Sequence, residues 1–205
     1  MFALVESGSI TSFPKGNRGI KIGDYNYPPA VFTLWSESER NAIGIYTVEI
    51  DNTNKKDEDW YKNTSITYAF GSGKVTGSYG TASAKKIADT LWTSQDKTDG
   101  VIRDGDDVGD VAVEGLKTIK KRMINNQCAG ILAPSDWRVI REQETGDAKD
   151  SGWKTWRGNV RTKCNSMQTQ IDNAANVDAL AALFIYTKQE DDSITRPLGE
   201  FPIKE

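Results

Sequence analysis

The sequence predicts an α+β fold, in which a β-rich N-terminal module is followed by a C-terminal antiparallel helical hairpin. Before residue 92, short apolar runs are separated by Gly and Ser clusters, which is typical of strands joined by turns. Residues 93–110 are acidic, rich in Gly and poor in large apolar side chains. After residue 111, apolar residues recur at steps of three and four. We therefore expect a module at 1–92, an acidic linker at 93–110 and a helical region at 111–205.

Strand patterns dominate the N-terminal module. We expect one hairpin to turn across residues 6–9 and a second to turn across residues 71–73, the latter with Ile66, Tyr68 and Phe70 on one face. Residues 45–50 alternate as a strand does. Residues 30–35 form a short apolar run that is either a strand or an anchor.

Two short helices are also expected in this module. Ser36 and Glu39 have the spacing of a capping box, in which each side chain bonds the backbone N–H of the other residue, and Gly44 would close the helix that follows. A further short helix should begin at Ser83, because Ile87 and Leu91 lie four residues apart.

The C-terminal region predicts two long helices that pack against each other. Residues 111–132 should form the first, which ends near Leu132 because Pro134 cannot continue it. The second should start at a cap formed by Asp150 or Ser151, with Trp153, Trp156, Val160, Cys164 and Met167 on one face. Both helices carry an apolar stripe and are close in sequence, so antiparallel packing is expected. A third helix, residues 177–186 with Asn176 or Asp178 as its cap, and an extended tail at residues 196–202 complete the region.

Residues 132–161 combine three of the six tryptophans with several arginines. We expect Trp137 to be buried in the elbow between the two long helices, where it would fix their angle, and Asp136 to accept from backbone N–H groups of the turn. Two interpretations of the remaining residues stay open. Either Trp153 and Trp156 form a core stripe while the arginines pair with Glu142, Glu144 and Asp147, or the stripe is a protein interface. Candidate interaction residues are Asp136, Trp137, Arg141, Trp153, Trp156, Arg157 and Arg161.

Composition argues against several classes of function. The net charge of −3 opposes nucleic-acid binding by the protein as a whole, and the basic residues 117–122 are expected to be a solvated helix face. The chain has no histidine, which removes Ser–His–Asp and Cys–His catalysis and Cys/His zinc sites. Cys128 and Cys164 are expected to be buried free thiols. A glycosidase needs only two carboxylates, but none of the 29 acidic residues can be singled out as such a pair.

Two binding motifs are approximated but not completed. Residues 71–75 resemble the end of a phosphate-binding loop, yet Val75 replaces the Ser or Thr that meets magnesium. Residues 104–115 can be aligned with a calcium loop, yet Val108 replaces an oxygen ligand and Gly115 the bidentate Glu. We therefore expect no catalytic residue, cofactor or metal. No apolar run is long enough for a membrane span and no secretory signal is present, so a protein that stays in the cytoplasm where it is made is expected.

The region around the elbow resembles a group of tail-fibre-assembly and tail-assembly-chaperone-like proteins of tailed bacteriophages. Members have a basic amphipathic helix, a Leu-x-x-Ser/Thr-Asp-Trp elbow and a helix with Trp-x-x-Arg-x-x-x-Arg. The elbow residues here are Leu132, Ser135, Asp136 and Trp137, and the helix supplies Trp153, Trp156, Arg157 and Arg161. Trp156 and Val160 depart from the Tyr and Leu usual in the group, and Gly158 lies inside the helix. The opening residues 1–10 and residues 44–48 are similar to the β-rich leader of these proteins.

The resemblance implies a non-enzymatic structural protein of the virion tail, associated with the fibre or the baseplate. Its partners would be fibre, baseplate or tail-tube adaptor proteins, and it would be a homo-oligomer in the virion with no nucleic-acid or membrane partner. Synthesis would take place in the host cytoplasm. Two alternatives are a transient tail-fibre assembly chaperone that is not retained in the virion and a small tail-associated polysaccharide depolymerase.

Overall fold

The computed structural model describes residues 1–146 and 151–204, and the chain divides into two compact units, 1–83 and 84–205. The predicted α+β class is confirmed, with strands concentrated in the first unit and long helices in the second. The division between Ser83 and Ala84 lies before the boundary expected at Trp92.

The first unit is built on a five-stranded mixed sheet in the order β2-β1-β5-β8-β7. Only the central β5–β8 pair is parallel. The unit also contains two short strands that pair with each other, two short helices and a two-residue strand. In chain order its elements are β1 (Phe2–Glu6), β2 (Ser9–Ser12), β3 (Ile20–Ile22), β4 (Tyr25–Tyr27), α1 (Ala30–Thr33), α2 (Glu37–Ala42), β5 (Ile45–Asp51), β6 (Tyr61–Lys62), β7 (Ile66–Gly71) and β8 (Lys74–Tyr79).

Alternation along β1 gives the sheet an apolar surface on both faces. Ala3 and Val5 pack with Val48 and Val75, whereas Leu4 packs with buried residues of α1 and β5. Because successive side chains of a strand point to opposite faces, one strand supplies both clusters. Of residues 30–35, expected as a strand or an anchor, Ala30–Thr33 form a short helix whose buried Val31 and Phe32 anchor the second face.

Local turn chemistry was predicted well in this unit. Both hairpins form, and Ser7 and Gly8 in the first, like Ser72 and Gly73 in the second, have positive φ angles. The capping box of Ser36 and Glu39 is present. Gly44 has a φ of 84°, and a Cβ there would lie 2.5 Å from the Val5 carbonyl oxygen, so glycine is required where α2 gives way to β5.

The segment between residues 83 and 113 differs from the sequence expectation. Instead of a helix from Ser83, the chain forms β9 (Ser83–Ala84) and β10 (Thr90–Leu91), and β10 pairs with β11 (Val111–Val113). Residues 93–110 are therefore held at both ends by strand pairing. They contain α3 (Ser94–Thr98), which starts with its own capping box.

A tryptophan–carboxylate bond closes this loop. The indole N–H of Trp92 donates to Asp106 over 2.9 Å, and this bond lowers the pKa of the Asp106 carboxyl. The backbone of Trp92 also bonds that of Gly109 and Asp110. The acidic, Gly-rich composition suggested a linker, but the aspartates here fold the loop by accepting hydrogen bonds.

Helices dominate the remainder of the second unit. They are α4 (Leu116–Leu132), a 3₁₀ turn (Ala133–Ser135), α5 (Asp136–Thr145), α6 (Ser151–Asn173) and α7 (Val177–Ala182), followed by the two-residue strands β12 (Thr187–Lys188) and β13 (Ile194–Thr195), which pair with each other. The first long helix begins later than expected, because the Asp89 carboxylate accepts from the Gly115 N–H and the Thr118 hydroxyl and fixes the start there.

The antiparallel packing of α4 and α6 is confirmed. The start of α4 meets the end of α6, where Lys117 donates to the Asp172 carbonyl, and the end of α4 meets the start of α6, where Arg157 donates to the Leu132 carbonyl. The shared core consists of Leu116, Ile124, Cys128, Leu132, Val160, Cys164, Met167 and Ile171. The third helix has the predicted Asn176 cap but ends at Ala182.

The C-terminal segment is not a free tail. Leu198 is fully buried, its N–H donates to the Leu183 carbonyl, and its own carbonyl accepts from the Lys163 ammonium. This segment therefore contributes to the core of the unit.

Candidate interaction surface

Arg157 is buried at the junction of α4, the 3₁₀ turn and α5, with 4% of its surface exposed. One terminal nitrogen donates to the Leu132 carbonyl over 2.8 Å and to the Ser135 hydroxyl, and the other donates to the Asp136 carboxylate over 2.5 Å. The last carbonyls of a helix lack partners within the helix. The rigid fork of the Arg157 guanidinium and the Ser135 hydroxyl both donate to one of them here, and the guanidinium also holds Ser135 and Asp136.

This geometry corrects two expectations about the elbow. Asp136 does not cap backbone N–H groups but is the first residue of α5 and accepts from Arg157. The pairing of Arg157 with Glu142, Glu144 or Asp147 is replaced by its bonds at the junction. Asp147 and the proposed cap Asp150 lie outside the described residues.

Trp137 is also placed differently from the expectation. It lies in α5 with 51% of its surface exposed, so it does not fill the elbow. The junction contains the Leu132 carbonyl, the Ser135 hydroxyl that donates to it, and the Asp136 carboxylate, and an indole has only one N–H with which to bond them. Arg157 supplies several donors at once and occupies the buried position instead.

Arg138 links α5 to α6 by stacking between two tryptophans. Its guanidinium carbon is 4.6 Å from the ring centre of Trp137 and 4.4 Å from that of Trp153. Trp153 in turn meets Trp156 edge to face at 5.4 Å, and the Lys204 ammonium lies over its ring. Cation–π and edge-to-face contacts of this kind each contribute about 0.5–1.5 kcal/mol at partly exposed sites.

Trp156 has a mainly structural role. It is half-buried, and its indole N–H donates to the Pro202 carbonyl over 2.9 Å, which ties the C-terminal segment to α6. Trp153 and Trp156 are therefore neither a simple core stripe nor a bare interface. Both are shielded on one side and accessible on the other.

Three large apolar side chains of α5 are exposed. No residue of this helix is buried, and Trp137, Val139 and Ile140 are exposed by 51%, 38% and 55%. Ile140 and Arg141 lie three and four residues after Trp137 and therefore share one helix face with it. We refer to these three residues as the α5 face.

The other candidate residues lie near this surface but outside it. Arg161 is exposed on α6 and lines a cleft together with Cys128 and Cys164. The sequence interpretation missed Arg138, Ile140 and Leu198. The spacing of Trp137 and Ile140 in a segment with few other apolar residues was the available signal for the α5 face.

Residues 1–146 and 151–204 hold no group of three or more His, Cys, Asp or Glu side chains that could bind a metal ion. No helix in these ranges is long and apolar enough to cross a membrane.

Comparison with protein-family models, with curated proteins and with solved structures finds no match to this chain.

Proposed function

We propose that this protein is a non-enzymatic structural protein that acts by binding other proteins, and that the α5 face is its main contact. The observation that carries the proposal is the exposure of Trp137 and Ile140 on a helix whose base is firmly held. Trp and Arg are the residues most enriched among those that dominate binding energy at protein interfaces.

Rigid support is the second argument for a binding role. Arg157 fixes the first turn of α5 from below, and Arg138 stacks between Trp137 and Trp153. A helix held in this way loses little conformational entropy when a partner binds, so more of the contact energy appears as affinity. The arrangement fits the binding mode in which an amphipathic helix inserts its apolar residues into a groove.

Charge suggests the character of the partner surface. Arg141 belongs to the α5 face, and Lys154 is exposed on the first turns of the neighbouring α6. An apolar groove with acidic residues at its rim would complement this surface. Glu144 lies on the same side of α5, so the attraction is local and does not extend over the whole helix.

The sequence resemblance supports a more specific proposal: a virion protein of a bacteriophage tail, associated with the fibre or baseplate, and present in several copies. Its partner is then a fibre, baseplate or tail-tube adaptor protein. A tail-fibre assembly chaperone would use the same surface only during assembly and leave the particle. The two roles predict different locations after lysis.

Cross-linking mass spectrometry of purified particles of the encoding phage tests this proposal. Peptides of the chain should be found in the particles, and Lys154 and Lys204, which flank the stacked tryptophans, should cross-link to a single tail protein. Detection in infected cells but not in particles would instead support the chaperone role. If deletion of the gene leaves the assembly of fibres and of whole particles unchanged, both roles are overturned.

A further inference from the structure

The register of α4 against α6 places two cysteines opposite each other. The Asn125 amide oxygen accepts from the Gln168 amide at 2.9 Å and from the Cys164 thiol at 3.5 Å. Cys128 lies one helical turn beyond Asn125 on the same face of α4, and Arg157 ties the next turn at Leu132. Cys128 therefore faces Cys164 across the helix pair.

Both thiols are free, buried and accessible from one side. They are exposed by only 7% and 4%. Both line a cleft of about 340 Å³, and the exposed Arg161 forms part of its wall. An anionic thiol reagent can approach along this side, where the guanidinium favours negative charge.

We propose that Cys128 and Cys164 form a reversible disulfide bond between α4 and α6 when the chain meets a low-molecular-weight disulfide such as oxidised glutathione. The cysteines lie on facing helices of one compact unit, so the bond forms within the chain. Reducing compartments keep such a pair as thiols and oxidising surroundings convert it.

Disulfide formation takes two exchange steps, and the surroundings of the two sulfurs assign which cysteine reacts first. Gln168 donates to the Cys164 sulfur at 3.5 Å, and a hydrogen bond of this kind favours negative charge on that sulfur. Burial, together with the neighbouring Cys164, raises the pKa of Cys128 to about 11, so Cys128 keeps its proton at neutral pH. Cys164 is therefore the attacking sulfur and Cys128 the resolving one.

The reaction balances as two thiol–disulfide exchanges. The Cys164 thiolate attacks one sulfur of oxidised glutathione, and one glutathione leaves as a thiolate that takes up a proton. The Cys128 thiol then loses its proton and attacks the Cys164 sulfur, which releases the second glutathione. The two cysteines lose two electrons and two protons, and oxidised glutathione gains them as two thiols.

The bond would close the chain segment that contains α5. The residues between Cys128 and Cys164 include the 3₁₀ turn, all of α5 and the first turns of α6. Cross-linking such a loop restricts the unfolded chain and stabilises the folded one. The oxidised form therefore holds the base of the α5 face more firmly than the reduced form does.

Intact mass measurement of the full chain tests the proposal directly. After incubation with oxidised glutathione and denaturation without reductant, the monomer should lose the mass of two hydrogen atoms and carry no glutathione. Its melting temperature should rise by roughly 10 °C and return on reduction. An unchanged mass, a stable glutathione adduct or a disulfide-linked dimer would overturn the proposal.

Matched serine variants test the order of attack. Cys128→Ser should trap one glutathione on Cys164, identified by peptide mapping, whereas Cys164→Ser should remain unmodified. A glutathione found on Cys128 of Cys164→Ser and absent from Cys128→Ser would reverse the assignment. If either variant fails to fold, the mass and melting results for the unmodified sequence still decide whether the bond forms.

Discussion

The guanidinium of Arg157 donates to the carboxylate of Asp136 at 2.5 Å and so joins α6 to the first residue of α5. The two side chains differ in environment, because that of Arg157 is 5% exposed and that of Asp136 is 56% exposed. An ion pair with one exposed partner contributes little on its own. The energetic importance of Arg157 therefore comes from its buried bonds to Leu132 and Ser135.

Replacing Arg157 by alanine should lower the free energy of unfolding by about 2–4 kcal/mol, because the buried Ser135 hydroxyl loses its donor, the Leu132 carbonyl keeps only the bond from Ser135, and the packing of the buried side chain is lost. Urea denaturation of the variant measures this effect. Arg161→Ala, on the exposed side of the same helix, is the control and should change the free energy by less than about 0.5 kcal/mol. Equal effects of the two replacements would refute the role given to Arg157.

Leu198→Ala should destabilise the protein by about 2–4 kcal/mol, since Leu198 is fully buried although it follows the last strand. Ile203 lies five residues later in the same segment and is 88% exposed, so Ile203→Ala should have almost no effect. Thermal melts compare the two variants. A harmless Leu198→Ala would mean that the C-terminal segment is not part of the core.

The raised pKa of the Cys128 thiol predicts that the reduced protein loses stability at alkaline pH. Its pKa is raised to about 11 in the folded chain, above the value of about 8.5 for an unperturbed thiol. The folded state therefore keeps a proton that the unfolded state releases. The stabilising contribution is complete below about pH 8 and is lost as the pH rises towards 11.

Cys128→Ser separates this contribution from those of other groups that titrate at high pH. Urea denaturation under a phosphine reductant should show a difference in unfolding free energy between the two proteins that is constant near pH 7 and changes between about pH 9 and 11. A difference that is independent of pH throughout this range would contradict the prediction.

Local signals in the sequence predicted more of the structure than long-range ones did. The hairpin turns, the Ser36–Glu39 capping box, the end of α4 before Pro134 and the α4–α6 packing depend on neighbouring residues or on helical periodicity, and all are present. The helix expected from Ser83 is absent because strand pairing between β10 and β11 overrides the weak helical spacing of Ile87 and Leu91.

The sequence interpretation predicted the wrong burial for Trp137 and the wrong partners for Arg157. A tryptophan beside a predicted elbow is usually buried, and an arginine on an amphipathic helix is usually exposed. Here Arg157 is buried and Trp137 is exposed. The difference depends on the bonds that Arg157 makes to the Leu132 carbonyl and the Ser135 hydroxyl, which form only when α4 and α6 pack together.

Because Trp137 is exposed, its replacement by alanine should lower the free energy of unfolding less than the sequence interpretation predicts. A buried tryptophan in the elbow would cost about 3–5 kcal/mol when replaced by alanine. A residue that is 51% exposed should cost about 1 kcal/mol or less, mostly through the lost stack with Arg138. Replacement of Trp137 should therefore weaken partner binding with little effect on the stability of the fold.

Incorporation of a Trp137→Ala, Ile140→Ala double variant into phage particles, measured beside its melting temperature, tests whether the α5 face is the main protein contact. Ile185→Ala is the control, because Ile185 is as exposed as Ile140, at 58% against 55%. The double variant should melt within a few degrees of the unmodified protein and yet be incorporated at least about tenfold less, whereas the control should behave normally. Normal incorporation of the double variant would contradict the claim, and so would a loss of incorporation that is explained by unfolding.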